Sequence, residues 1–320
     1  MNIPRSPSPA HHAASASRRG SALIAVLWVI AILSIAVFSA TQFLFIELES
    51  ESNASAIFRA EQLADQGIAV AAHPNTEQAD PILNQRFSEV ESFFARISSE
   101  GERLNLNALL ENPEDDRVVL EELFVDWGLR IDEAKEVVDA LLDWVDEDSE
   151  PTNRGAEQDL YVGMERPNFP FNRPFESLKE AELVYGFDRI LSIRPNWQDS
   201  FTLMSAGPLD LNEAPVDLIT VVCECGEAQA ELLVGVRNGF DGIRGTEDDE
   251  PFEDVESALE ILGIPPGFED RISARVSIED EAKRIISIGR FGTIAVERTV
   301  TVQYTGDRGE IQKWVTRRIE

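Results

Sequence analysis

Charge is missing from one long stretch near the start of the chain. No residue from Ser21 to Ile46 is charged, and at helical rise these residues reach about 39 Å, more than the roughly 30 Å of a bilayer's hydrocarbon. Arg18 and Arg19 precede the run, while Glu47, Glu49 and Glu51 follow it. The positive-inside rule then predicts a cytoplasmic N-terminus, with everything after Ile46 on the far side of the membrane. Helical spacing continues through Ile57, Ala60, Leu63, Ala64, Ile68 and Ala71. The pattern predicts a transmembrane segment over 21–46 and its extracytoplasmic continuation over 47–73, one helix from about 22 to 72 that Pro74 ends.

Beyond residue 74 the period changes. "ESFFARIS" and "ERLNLN" alternate apolar and polar residues around a Ser-Glu-Gly turn, a pattern that predicts a β-hairpin and assigns 74–103 to the first part of a β domain. Val118, Leu120, Leu123, Phe124 and Trp127, then Ala134, Val137, Val138, Leu141, Leu142 and Val145, return to helical spacing. After Pro266 the runs "RISARVSI", "KRIISIGRF", "TIAVERTVTVQY" and "IQKWVTRRI" predict strands over 267–320. The sequence thus predicts an α+β fold: a long N-terminal transmembrane helix, then a small antiparallel sheet split by an all-α insertion.

The insertion repeats itself. "LNLNALL" at 104–110 matches "LDLNEAP" at 209–215. Each leads into a helix, an Ala-rich second helix (Glu133–Trp144; Ala228–Arg237), an acidic loop and a third member, "FESLKEAELVYGF" or "FEDVESALEILGI". Two related bundles of unequal size are expected, over 104–208 and 209–266. Asn107 and Asn212 are placed to cap the helices that follow them.

Composition narrows the partners. The 320 residues are 43% apolar, enough for packed cores, and carry 59 acidic against 28 basic residues for a net charge of −31. A nucleic-acid backbone is repelled by such a chain. The second repeat does resemble a helix-hairpin-helix module, but its hairpin, "CECGEA", sets Glu224 and Glu227 where phosphates would sit. Cys223 and Cys225 are the only cysteines, and His11, His12 and His73 are remote from them in sequence. The pair is read as structural or incidental; a C-x-C bridge would close a strained small ring, and a metal pair lacks a nearby partner.

Two acidic loops invite a hard cation. "GFDGIRGTEDDEPF" gathers Asp241, Glu247, Asp248, Asp249 and Glu250 around glycines and Arg244; the first repeat's loop offers Asp143, Asp146, Asp148, Glu157 and Asp159. Flexible oxygen cages suit calcium, although EF-hand spacing is absent. A solvated acidic surface is the plain alternative. No nucleophile with a nearby His, phosphate-cradling loop or catalytic metal motif is present, and no enzymatic activity is expected.

In their order along the chain, the Arg-Arg-Gly junction, the apolar helix, "RAEQLADQGIAVAA", "LNLNALL", "DALLDWVDEDSEP", "GAEQDLY" and "LDLNEAP" resemble the K-type minor pseudopilins of type II secretion, general secretion pathway protein K. The resemblance implies a pseudopilin-like α/β domain interrupted by two SAM-like helical repeats. It implies that residues 1–20 are a leader cut after Gly20 by a prepilin peptidase, that the new N-terminal Ser21 is methylated, and that the anchor stays in the inner membrane. It implies assembly with I-type and J-type minor pseudopilins and other pseudopilins, a role at the pseudopilus tip in exporting folded proteins, and calcium binding as in K-type relatives.

Most pilin-like subunits carry a glutamate at the fifth position after the cut, to neutralise the terminal ammonium of the subunit ahead. Here that position is Ala25. A subunit with nothing ahead of it has no such ammonium, so Ala25 fits a tip. Three alternatives stay open: a secreted helix-hairpin-helix binder, an unrelated single-pass envelope protein, and a secretory signal cut at Ser34-Ile35-Ala36.

Overall fold

A computed structural model of the chain describes residues 18–264, 268–305 and 308–319. Helix α1 runs without a break from Arg18 to Ala71. No proline falls inside it, and it gives way to turn at Ala72, two residues before Pro74. The chain divides into a unit ending at Phe58 and a body from Arg59 onward. In the first unit Ala22–Phe43 is apolar enough to cross a membrane, with a mean hydropathy of 2.8 and every residue exposed. Gly20 and Ser21 lie in the first turn of α1, and Ala25 is exposed among the other apolar residues of the span.

In the body, the last turns of α1 lie on an antiparallel five-stranded sheet. Its order is β1 (Asn84–Arg86), β2 (Glu91–Ser99), β7 (Ala282–Phe291), β8 (Ile294–Thr305) and β9 (Arg308–Ile319). Leu63, Ile68 and Ala71 of the helix share a core with Phe93, Ala95, Ile285, Val300 and Val302 of the sheet. Two glycines let the layers approach. A Cβ on Gly289 would overlap the Ala60 carbonyl and the Ala64 backbone, and one on Gly67 would overlap the Ser287 hydroxyl.

The predicted hairpin is not formed. Glu91–Ser99 pairs with β1 and with β7, which lies far along the sequence, while "ERLNLN" leaves the sheet through a 3-10 turn, Glu100–Glu102. Glu100, only 2% exposed, is the reason. It pairs with Arg103 and accepts hydrogen bonds from the Thr202 and Thr301 hydroxyls at 2.6 and 2.7 Å, tying three distant segments where a hairpin strand would have to run.

Each repeat is closed by a two-residue parallel strand pair. Leu104–Asn105 (β3) pairs with Phe201–Thr202 (β4), and Leu209–Asp210 (β5) pairs with Val276–Ser277 (β6). The first repeat contains α2 (Leu106–Glu111), α3 (Pro113–Asp126), α4 (Ile131–Val145), α5 (Gln158–Gly163) and α6 (Asp188–Ile193). The second contains α7 (Val216–Val222), α8 (Glu227–Arg237), α9 (Val255–Leu262) and α10 (Glu269–Arg275). One continuous apolar core runs through both repeats, from Leu104 to Val276.

Three further expectations are corrected. "RISARVSI" is not a sheet strand: its first five residues belong to α10, Ile272 is buried, and Val276–Ser277 closes the second repeat, so that repeat extends past residue 266. In the first repeat the third member is a 3-10 helix, Leu178–Leu183, whereas its counterpart is the α-helix α9. Asn107 and Asn212 cap nothing. Asn105 caps α2 by accepting from the Ala108 N–H, and α7 has Pro215 at its N-cap and so no side-chain cap.

Candidate functional site

The C-terminal end of α4 carries two carboxylates, Asp143 in its last turn and Asp146 at its C-cap. This is the end of a helix where unpaired carbonyls repel negative charge. Asp139, one turn earlier, is balanced by Arg117 at 2.7 Å and by the Arg154 N–H at 3.2 Å. Asp143 has no ion-pair partner among the described residues. Its Oδ1 accepts from the Thr152 N–H at 2.9 Å, and its Oδ2 is buried without a partner.

The loop after α4 returns at Gly155 and brings Glu157 to the same place. A side chain at Gly155 would overlap the Asp143 carboxylate, so the close approach needs glycine. Glu157 caps α5, its Oε2 accepting from the Gln158 N–H, and leaves Oε1 buried and unpartnered. Asp146 Oδ1 is the third such atom. One carboxylate oxygen from each of Asp143, Asp146 and Glu157 lies within 4.8 Å of the other two.

Trp144, next to Asp143 in the chain, is the centre of an aromatic cluster. Trp144, fully buried, stacks on Phe175 at 6.3 Å between ring centroids and meets Tyr161 edge-on at 5.8 Å and Phe169 at 5.1 Å. Burial, followed by repulsion from Asp148 and Asp143, pushes Asp146 up to about 6. Burial pushes Glu157 up to about 7 and raises Asp143 as well. Three oxygens without donors, at the negative end of a helix, form a site that a hard cation would satisfy and that the chain's own hydrogen atoms do not. Calcium fits these residues by donor type: it would be held by Asp143, Asp146 and Glu157, cancelling their repulsion.

The other predicted ligands are placed differently. Asp148 and Asp159 are exposed and outside the cluster. In the second loop, Asp248 accepts from the Phe240 and Asp241 N–H groups and the Thr246 hydroxyl, bonds that hold its carboxyl below the usual range. Asp249 takes Arg244 at 2.9 Å and the Gly245 N–H at 2.7 Å, and Asp241 accepts from Ile243. Arg244 also reaches Glu213 at 2.7 Å. Glu247 and Glu250 are exposed. Asp249 Oδ1 stays buried without a partner, but the loop's other bonds engage Asp241, Asp248 and Asp249 Oδ2, and among the described residues no three of its carboxylates converge.

The hairpin between α7 and α8 is likewise filled from within. Glu224, with φ of 51°, ion-pairs with Arg271 at 2.5 Å and Arg275 at 3.0 Å. Arg275 reaches on to Asp116 in the first repeat, at 3.0 Å. Cys223 is a buried free thiol, pushed upward by burial, and Cys225 is free and half-buried. Sequence reasoning missed how Asn107 and Asn212 work. Asn107 exchanges two hydrogen bonds with the backbone of Phe175, at 3.0 and 2.9 Å, and Asn212 does the same with Phe252, at 2.9 Å each way. The signal was present in the aligned repeats, since both Asn residues and both Phe residues recur together.

Residues 102–192 match the family model described as type II secretion system (T2SS), protein K. The chain is 26% identical over 185 residues to type II secretion system protein K of Pseudomonas aeruginosa, across 55% of this chain and 53% of that protein. It is 38% identical over 73 residues to the protein of that name from Dickeya chrysanthemi, across 23% of this chain and 20% of the other. The matched stretch thus spans about half of the first relative and a fifth of the second. Its fold resembles a chain in the crystal structure of the GspK-GspI-GspJ complex from the enterotoxigenic Escherichia coli type 2 secretion system, with a TM-score of 0.62 at 13% identity, covering 84% of this chain and 98% of that one. These matches bear out the resemblance to type II secretion K proteins and the mixed helix-and-sheet fold that it implied.

Proposed function

We propose that this chain, which carries the type II secretion system protein K domain, is a minor pseudopilin of the inner membrane that primes and tips a short pseudopilus. The reading is carried by one observation: the matched residues, 102–192, make up most of the first repeat, in a chain whose N-terminal helix contains the apolar span Ala22–Phe43. A prepilin peptidase cuts after Gly20, Ser21 becomes the methylated terminus, and the span stays in the bilayer with its N-terminus cytoplasmic. Partners of the I and J type pack their own apolar helices against it. Ala25 supports the tip position, because a carboxylate there would be costly in hydrocarbon without an ammonium to pair with. The role is mechanical: export of folded proteins is assisted by assembly, with no bond made or broken by this chain.

Calcium at Asp143, Asp146 and Glu157 belongs to the same reading, as a device that holds the long loop of the first repeat against α4. Mass determination of the mature N-terminus, in cells with and without prepilin peptidase, tests the main proposal. A methylated product starting at Ser21, found only when the peptidase is present, is expected. A product starting beyond Ala36, or an uncut leader in both strains, would overturn it.

A further inference from the structure

The first repeat carries a groove of about 680 Å³, within the size range of sites that enclose a ligand. It lies beside the corner where α2 ends at Glu111 and Pro113 starts α3. Leu110 and Pro113 from that corner, Leu142 and Val145 from α4, and Pro174 give it an apolar floor. Its polar groups divide into two kinds. Asn107 is committed to Phe175, Arg117 to Glu121 and Asp139, and the Thr152 N–H to Asp143. Glu111 and Glu114 are exposed and have no ion-pair partner among the described residues, and Asp146 keeps an oxygen without a donor.

Every charged group on the groove without an ion-pair partner among the described residues is therefore a carboxylate, around a floor that rewards burial of an apolar side chain. We propose that the groove binds an extended protein segment that sets a Leu- or Phe-type side chain on the floor and a Lys or Arg beside it, against Glu111 and Glu114. Anionic ligands are repelled by all three acids. A wholly polar cation leaves the floor wet, and a wholly apolar segment leaves the rim unpaired; a segment combining both features uses the whole surface.

The test uses the full chain in detergent and a fluorescein-labelled decapeptide with an Arg-Leu-Phe-Arg centre, followed by fluorescence polarisation with calcium chelated. The result thus does not depend on the ion proposed at Asp146. Saturable binding is expected, at least 10-fold tighter than that of peptides centred on Glu-Leu-Phe-Glu or Arg-Ser-Ser-Arg. The double variant Glu111→Arg, Glu114→Arg, both exposed, should melt like the parent and bind at least 10-fold more weakly. Equal binding of the Arg-Ser-Ser-Arg peptide would reduce the effect to bulk charge and overturn the proposal. So would an unchanged affinity in the charge-reversed variant, or phenethylammonium binding as tightly as the peptide, which would assign the groove to a small cation.

Discussion

Asn107 and Phe175 hold each other as two strands would, the amide of one side chain pairing with both backbone groups of the other residue. Asn212 does the same to Phe252 and adds a third bond, to the Ile278 carbonyl at 3.0 Å. Truncation leaves a donor and an acceptor unpaired, at about 1–3 kcal/mol. Asn212→Ala is expected to destabilise more than Asn107→Ala, because it loses more bonds and Asn212 is the more buried residue. Denaturant titration of both variants checks the order; equal losses would mean that the bond to Ile278 contributes nothing.

The cluster at Asp143, Asp146 and Glu157 predicts a pH dependence of unusual sign. A carboxylate whose folded pKa is raised holds its proton more tightly when folded, so its penalty is absent at low pH and grows as pH rises from about 4 through its folded value, about 6 for Asp146 and about 7 for Glu157. In chelator, the melting temperature should rise as pH is lowered from 8 to 5.5. Calcium should raise it at pH 8 and do little at pH 5.5. A calorimetric series in both buffers decides, and a calcium effect that persists at low pH would place the ion elsewhere.

Substitution separates the cost of the cluster from its use. Glu157→Gln and Asp146→Asn remove repulsion and should stabilise the calcium-free protein by a few degrees, on the order of 1 kcal/mol, while abolishing the calcium shift. Gly155→Ala drives a methyl into Asp143 and should abolish the shift too. Asp248→Ala removes the second loop's bonds to Phe240, Asp241 and Thr246 yet should leave the calcium shift intact. Isothermal titration of the four variants reads this directly.

Glu100 joins the sheet to the insertion through Thr202, Thr301 and Arg103. Glu100→Ala leaves Arg103 without its nearest acid and two hydroxyls without an acceptor, and should cost about 3–5 kcal/mol. Thr301→Val alone should cost about 1 kcal/mol. Denaturation midpoints at constant m-value give both numbers.

Glycines of opposite kind give a paired prediction. Gly289→Ala forces α1 off the sheet and should cost about 3 kcal/mol or prevent folding. At Gly235, in α8, an added methyl would meet nothing within 4 Å, and Gly235→Ala should stabilise by about 0.5–1 kcal/mol. Thermal melts of the two variants should move in opposite directions.

Periodicity and length made α1 and the three long C-terminal strands legible, because α1 begins with an unbroken apolar run and then buries one face from Ala60 to Ala71, and β7 buries alternate residues against it. It misled where alternation was local. "ERLNLN" alternates because Leu104 and Leu106 enter the insertion's core while Asn105 caps a helix and Asn107 grips Phe175. "RISARVSI" alternates because one helical turn meets a two-residue strand. The acidic loops were visible in composition, but which one gathers three carboxylates depended on the turn at Gly155 in the first and on Arg244 and backbone N–H groups folding back over the second. No spacing rule encodes that choice. The groove was illegible for the same reason, since its lining comes from positions as far apart as Asn107 and Pro174.

Leu104 lies beside Phe201, and Leu209 beside Val276. Each repeat therefore begins and ends at one doorway, and its interior can lengthen or shrink without altering the spacing the sheet must bridge, provided the face that shares the common core is kept. A graft that swaps residues 106–200 for another bundle with the same doorway and the same core face should leave β2 and β7 paired.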